Sequence, residues 1–277
     1  MTRLKESDIC RIPSRLEAYN RELVIKTGKT LLQIACHACN VEETIIRHQI
    51  DSFKIHVVPV TAGQGIITDF SETVAAILNF LGFNAGVSDK PDTTGLAMAF
   101  EDKADAVMMA DDHRFVGINL NTRYVADNGE ATGRVFAAAL DLMAKGIKGR
   151  DVLVMGCGPV GEAAARAVLS LGGRVTLFDT HVPAARLLKQ RLSRYPGQSR
   201  IQIEDNLTTA ILHHDYILEA TPSEDTIPDE LISDHLLVAA PGVPLGISDT
   251  GCQILGDRLV HDKLELGVAA MAVLLVS

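Results

Sequence analysis

The chain has 277 residues, of which 47% are hydrophobic and 22% charged, with a formal net charge of −9 and a pI near 5.5. That length is a prior for two domains of roughly 150 residues each, and the apolar share supplies a packed core. The acidic balance has no basic stripe, aromatics are 4% and Trp is absent, which argues against nucleic-acid binding and against docking to anionic membranes.

The first ten residues (MTRLKESDIC) are polar and hold no signal-peptide core, and no apolar run reaches the roughly 18 residues of a membrane span. The five cysteines, an odd number, fit a reducing compartment, so a cytoplasmic protein is expected. Cys36-His37-Ala38-Cys39 is a C-x-x-C, open to reading as a redox pair or half a zinc site. No second C-x-x-C accompanies it, and the surrounding LLQIACHACNVEETI has helical spacing, which favours a structural role. The remaining histidines are scattered, and no metal is expected.

Two helices are expected before residue 50, then a strand over 54–60 that runs into the glycine-rich loop Thr61-Ala62-Gly63-Gln64-Gly65. Its backbone N–H groups are placed to receive a substrate carboxylate, unless the loop is a plain turn. Asp69 and Glu72 form a capping-box pattern before a helix over 70–81. A strand over 84–88, a helix over 94–104 and strands over 106–110 and 115–120 complete a small α/β unit. Ala110-Asp111-Asp112-His113 follows a buried strand. Two carboxylates there can hold a substrate cation, take a proton, or simply make a turn, and spacing does not choose among these. Adjacent residues of an extended chain face opposite sides, so only one should face a ligand.

Asn128 to Gly133 reads as the cap of a linking helix over 131–145. Beyond it, Asp151-Val152-Leu153-Val154-Met155 is a buried strand that ends in Gly156-Cys157-Gly158-Pro159-Val160-Gly161, a G-x-G-x-x-G. The first glycine permits the tight turn, the second lets a pyrophosphate approach the backbone, and the third packs the helix on the strand. A small-residue helix over 162–171, a strand over 174–178 and Asp179 follow, in the order a dinucleotide needs. An acid at 179 favours NAD over NADP, because a carboxylate repels a 2′-phosphate. A helix over 183–194, a strand over 201–203, a helical patch over 207–212, strands over 216–220 and 236–240, and a weaker strand over 254–259 complete the half. Ligands of open parallel sheets bind beyond the carboxyl ends of strands. Ala220-Thr221-Pro222 and Pro241-Gly242 therefore join Gly156 to Gly161 and Asp179 as expected cofactor contacts, unless the two turns are plain chain reversals. Glu265 and His261 read as structural.

The fold expected is α/β. A smaller N-terminal α/β substrate domain covers 1–130, its linking helix reaches about 148, and a C-terminal Rossmann NAD-binding domain covers 149–277. A cleft between two such domains is the default substrate site.

The runs VVPVTAGQGIITDFSETVAAI (57–77), MADDHRFVGINL (109–120), DNGEATG (127–133), VLVMGCGPVG (152–161), LEATPSEDTIP (218–228) and APGVPLGIS (240–248) together resemble the pyrrolysine synthase family, the dehydrogenases that finish pyrrolysine biosynthesis. The first of these runs is far more specific than the dinucleotide turn. The resemblance implies a dipeptide-like substrate, lysine carrying 3-methyl-D-ornithine on its Nε. NAD⁺ takes hydride from the carbon bearing the terminal amine. The resulting imine or semialdehyde is attacked by the α-amine, ammonia leaves and a pyrroline ring closes. It further implies Asp111 as the catalytic substrate contact, with Val60, Thr61, Ala62, Leu4 and Asp8 binding substrate. The family pattern carries serine where this chain has Ala62. The competing readings are another two-domain NAD(P)-dependent amino-acid dehydrogenase, which commonly needs a cleft lysine, and a non-catalytic NAD-binding module. A homodimer is compatible with the sequence but not fixed by it.

Overall fold

Apolar residues at helical spacing build four helices at the start of the chain, in a computed structural model that describes residues 4–195 and 201–277. They are α1 (Glu6–Ile9), α2 (Ile12–Thr27), α3 (Leu31–Cys39) and α4 (Glu43–Ile50). The expected count of two falls short because the breaks are local. Thr30 Oγ1 accepts the Gln33 N–H while the Gln33 side chain accepts the Thr30 N–H, a reciprocal cap that starts α3 afresh. Asn40 ends it in the left-handed region at φ 56°.

The first unit comprises the chain up to Arg21, Thr30–Ala131 and Lys263–Ser277. Its sheet runs β2 (Asn84–Val87), β1 (Lys54–Val58), β3 (Ala106–Ala110), β4 (Phe115–Asn119), β5 (Val125–Asp127). Strand β1 is parallel to both β2 and β3, and β3, β4 and β5 are antiparallel in turn. β1 stops at Val58 rather than 60 because Pro59 has no N–H to give a ladder. The short β5 is not foreseen, since VAD carries no readable alternation. Two helices lie between the strands: α5 (Phe70–Leu81) and α6 (Asp92–Glu101). The Asp69 capping box does not form. Asp69 is left-handed at φ 60° and its side chain makes no cap bond.

The second unit comprises Glu22–Lys29 and Thr132–Asp262. It is entered through α7 (Asn128–Met143), which is capped by Asp127 Oδ1 on the N–H of Gly129 at 2.9 Å. The unit then alternates β6 (Asp151–Met155), α8 (Pro159–Ser170), β7 (Arg174–Phe178), α9 (Val182–Leu192), β8 (Ile201–Ile203), α10 (Leu207–Leu212), β9 (Tyr216–Glu219), β10 (Leu237–Ala240), α11 (Asp249–Leu255) and β11 (Leu259–His261). The six strands are all parallel, in the order β11-β10-β9-β6-β7-β8. That is the doubly wound arrangement, with its switch point between β6 and β9. The expected strand over 254–259 is instead the end of α11 and a 3-10 turn, and pairing begins only at Leu259.

The expected boundary at 149–277 is corrected at the C-terminus. Helix α12 (Glu265–Val276) is apolar on every side and nearly all of it is buried. It packs against α3, α4, α5, β4 and β5 of the first unit. A helix without a polar face must be enclosed, and burying each of Leu266, Val268, Met271 and Leu275 contributes roughly 1.5–3 kcal/mol. Asn119 Nδ2 also donates to the Leu275 carbonyl at 2.7 Å. Among the described residues no helix is long and apolar enough to cross a membrane.

Candidate active site

In the second unit β6, β9 and β10 are neighbours, so their carboxyl ends bring three loops together. Gly156 follows β6 at φ 88°, and a Cβ there would stand 2.7 Å from the Ala220 carbonyl oxygen at the end of β9. A Cβ on Gly161 would stand 1.9 Å from the Gly156 carbonyl oxygen. These two glycines close the turn against backbone. Gly158 is different: its Cβ would meet nothing within 4 Å. It is the N-cap of α8, with Pro159 in the first turn and Val160 after it. The turn is thus packed on two sides and open on the third, where the helix N–H groups and dipole favour an anion. A dinucleotide pyrophosphate fits that opening.

Asp179 follows β7 beside the same turn. Its Oδ2 accepts the N–H of Cys157 at 2.8 Å and its Oδ1 that of His181 at 2.8 Å. The acid therefore braces the turn. The Cys157 side chain points inward, Sγ donating to the Phe178 carbonyl at 3.8 Å, and burial pushes its thiol up to about 12. An alkylating reagent at neutral pH should modify exposed Cys10 and spare Cys157, as read by peptide mass mapping; rapid labelling of Cys157 in the folded protein would contradict this placement.

One residue of this site escaped the sequence reading. Glu219, the last residue of β9, is fully buried. Its Oε1 accepts both the N–H (2.9 Å) and the hydroxyl of Thr221, and the Thr226 hydroxyl and the Gly246 N–H stand against the same carboxyl, whose Oε2 makes no bond of ordinary geometry among the described residues. Burial pushes the carboxyl above the usual glutamate range despite these donors from Thr221, Thr226 and Gly246. Cβ atoms on Gly242 and Gly246 would stand 2.6 Å from Glu219 Oε2 and 2.8 Å from its Cδ. Both loops that carry Thr221-Pro222 and Pro241-Gly242 are thus shaped around this one side chain. The available signal was an acid inside the apolar run 216–220. On β11, two strands from Glu219, His261 Nδ1 donates to the Ala240 carbonyl at 2.7 Å, at the end of β10.

In the first unit, Asp111 is exposed and closes its own turn. Its Oδ1 accepts the N–H of Arg114 (2.8 Å) and of His113 (2.8 Å), while Oδ2 makes no bond among the described residues. Those two N–H bonds hold the carboxyl below its usual range. A proton-accepting role needed the pKa raised by burial, and the opposite is found. Asp112 turns the other way, Oδ2 accepting the Gln64 N–H at 2.8 Å. The N–H of Thr61 goes to Asp92 Oδ1 at 2.8 Å and that of Gly65 to the Ala62 carbonyl at 3.3 Å. With Thr61, Gln64 and Gly65 engaged in this way, the loop does not have the open row of donors expected for a substrate carboxylate. Val60 is half-buried, and Thr61 and Ala62 are exposed.

The N-terminal pair lies elsewhere in this unit. Leu4 is half-buried ahead of α1. Asp8 has both oxygens engaged, Oδ1 with Lys263 Nζ at 2.5 Å and Oδ2 with the Lys5 N–H at 2.8 Å. Burial alone would raise its carboxyl, but the Lys263 ammonium and the Lys5 N–H outweigh it and hold it low. The structure also assembles Ser88, His56 and Asp102, which spacing did not show. His56 Nδ1 lies 3.3 Å from Ser88 Oγ and Nε2 lies 3.5 Å from Asp102. Ser88 is buried, so the trio offers no reachable nucleophile. Cys36 is buried in α3, its thiol pushed up to about 11 by burial, and Cys39 Sγ donates to the Ala270 carbonyl at 3.7 Å.

Residues 8–126 match the N-terminal domain of the pyrrolysine biosynthesis protein PylD, and residues 130–238 match the C-terminal domain of alanine dehydrogenase/PNT. The pyrrolysine synthase of Methanosarcina acetivorans is 34% identical over 218 residues, 79% of this chain and 80% of that protein. The chain belongs to the pyrrolysine synthase family. Another member, the pyrrolysine synthase of Methanosarcina barkeri, is 33% identical over 220 residues, 79% of this chain and 80% of its own. In fold the chain resembles quinate dehydrogenase from Corynebacterium glutamicum in complex with NAD, with a TM-score of 0.57 at 15% identity over 81% of this chain and 92% of that one.

Proposed function

We propose that this chain is an NAD-dependent amine dehydrogenase that acts on 3-methyl-D-ornithinyl-N6-lysine. It oxidises the terminal amine, releases ammonia and closes the pyrroline ring of pyrrolysine. As an enzyme of the pyrrolysine synthase family it is an oxidoreductase of pyrrolysine biosynthesis. The observation that carries the finer reading is this membership in a chain whose glycine turn is open at Gly158 and nowhere else.

The dinucleotide would lie against Gly156 to Gly161, with Asp179, Ala220 to Pro222 and Pro241-Gly242 around it. NAD⁺, when bound, supplies the hydride acceptor. Asp179 favours an unphosphorylated ribose, because its carboxylate stands next to the turn and repels a 2′-phosphate. The first unit holds the substrate through Val60, Thr61, Ala62 and Asp111. The substrate amine is a cation at neutral pH. Asp111 keeps one oxygen fixed by its turn and presents the other, Oδ2, as an anion. A low carboxyl pKa suits an ammonium anchor and makes a poor base. The role is therefore positioning and charge stabilisation of the cationic amine, with the proton released elsewhere.

Asp111→Asn should lower kcat/KM for the dipeptide by at least about tenfold, the weight of one charge-assisted bond. Activity close to wild type would remove Asp111 from the site. Comparing NAD⁺ with NADP⁺ at equal concentration tests the ribose assignment: Asp179 predicts that NAD⁺ is preferred, and equal use of both contradicts it. A non-catalytic module would bind NAD⁺ and leave the dipeptide untouched.

A further inference from the structure

Loop 61–65 leaves β1, the strand between β2 and β3, and a carboxylate reaches it from each side. From the β2 side, Asp92 at the start of α6 accepts the Thr61 N–H through Oδ1 at 2.8 Å and the Thr61 hydroxyl through Oδ2 at 2.5 Å. These bonds hold the Asp92 carboxyl below its usual range. Asp92 sits at φ 54°, a backbone state rare for residues with a side chain, and its own N–H donates to the Pro59 carbonyl at 2.9 Å. From the β3 side, Asp112 Oδ2 accepts the Gln64 N–H at 2.8 Å. Gly63 lies between the two, at φ 68°. A Cβ there would stand 2.0 Å from Asp112 Oδ2, so only glycine lets the carboxylate close on the loop. A simple chain reversal needs none of this. Thr61 to Gln64 are exposed and bury no core, yet two acids and a left-handed glycine fix their shape.

We propose that Asp92 and Asp112 are positioning residues that clamp loop 61–65 from both sides, in the shape that presents Val60, Thr61 and Ala62 to the substrate. This rests on the reading above that those three residues touch the substrate. The clamp explains why two adjacent acids follow β3. In the turn that joins β3 to β4, Asp111 leaves Oδ2 for the substrate amine while Asp112 reaches the loop through the Gln64 N–H. It also gives Asp92, which lies far from both in sequence, a role at the same place.

The test is steady-state kinetics on the full chain with NAD⁺ and the synthetic dipeptide, alongside NAD⁺ affinity and thermal melting. Asp92→Ala, Asp112→Ala and Gly63→Ala should each raise KM for the dipeptide about tenfold, the weight of one charge-assisted hydrogen bond. The NAD⁺ Kd should stay unchanged. Asp112→Asn keeps an oxygen for the Gln64 N–H and should restore a near wild-type KM. Gly63→Ala displaces the Asp112 carboxyl and also strains a left-handed backbone, so it is read beside Asp112→Asn, which keeps both the glycine and an acceptor for the Gln64 N–H. Amide exchange at Gln64 should quicken in Asp112→Ala and Gly63→Ala. A wild-type protein that turns over the dipeptide while Asp112→Ala and Gly63→Ala keep its KM overturns the clamp alone. So does an Asn variant as impaired as the Ala variant. A wild-type protein that binds NAD⁺ but leaves the dipeptide intact overturns the functional reading, and the clamp with it.

Discussion

Gly158→Ala is expected to weaken NAD⁺ binding by at least about tenfold while leaving the melting temperature within a degree or two of wild type. The argument is geometric. A methyl group on Gly158 meets no protein atom within 4 Å, so the fold has no reason to object. It does fill the space in front of the α8 N-terminus that a pyrophosphate needs. Gly161→Ala is the contrasting variant. Its Cβ would stand 1.9 Å from the Gly156 carbonyl oxygen, a backbone atom that cannot swing aside. Overpacking of this kind costs roughly 1–3 kcal/mol, and at about 2–4 °C per kcal/mol the melt should fall by several degrees along with cofactor affinity. Calorimetric NAD⁺ titration and a thermal melt on the two variants separate these effects. A Gly158→Ala protein that binds NAD⁺ like wild type would show that the open face of the turn is not the phosphate site.

The second large effect is centred on Glu219. Glu219→Ala strips the N–H and hydroxyl of Thr221 of their acceptor in a buried site. A loss of roughly 1–3 kcal/mol of stability is expected, together with weaker NAD⁺ binding, because Thr221 lies in the loop assigned to the cofactor. Glu219→Gln keeps the Oε1 acceptor and should be mild, but it changes the response to pH. Burial raises the carboxyl of Glu219 in the folded protein above its unfolded value. Such an acid contributes its full stability below the ordinary glutamate pKa and loses it as pH rises through the folded pKa. Glutamine does not ionise there. Urea unfolding of both proteins across roughly pH 4 to 8 should show wild type losing ground to the variant as pH rises. Parallel curves would mean that Glu219 is not held neutral.

Much of the second unit is legible because its strands are short apolar runs ended by glycine, proline or an acid. DVLVM, RVTLF and IQI fold over the residues the pattern marks, and G-C-G-P-V-G forms the expected turn. Legibility fails where a contact is remote in sequence. Helix α12 is apolar on all faces, which says that it is buried but not against what, and it joins a unit whose other segments end at Ala131. Asp69 and Glu72 have the spacing of a cap, yet the left-handed backbone at Asp69 removes the side-chain bond. At the site, Asp111 and Asp112 are equivalent as letters. Only the geometry assigns one to its own turn and the other to loop 61–65. Asp92 and Glu219 carry no motif, because each works through a partner chosen by the fold: Thr61 in the loop after β1 for the first, and Gly242 and Gly246 packed around its carboxyl for the second.

The most direct measurement of the central claim mixes the purified chain with NAD⁺ and synthetic 3-methyl-D-ornithinyl-N6-lysine. NADH absorbance and the mass of the amino-acid product are followed together. The predicted result is one NADH and one ammonia for each ring-closed product. A folded chain that binds NAD⁺ and forms neither NADH nor the ring under these conditions would contradict the account.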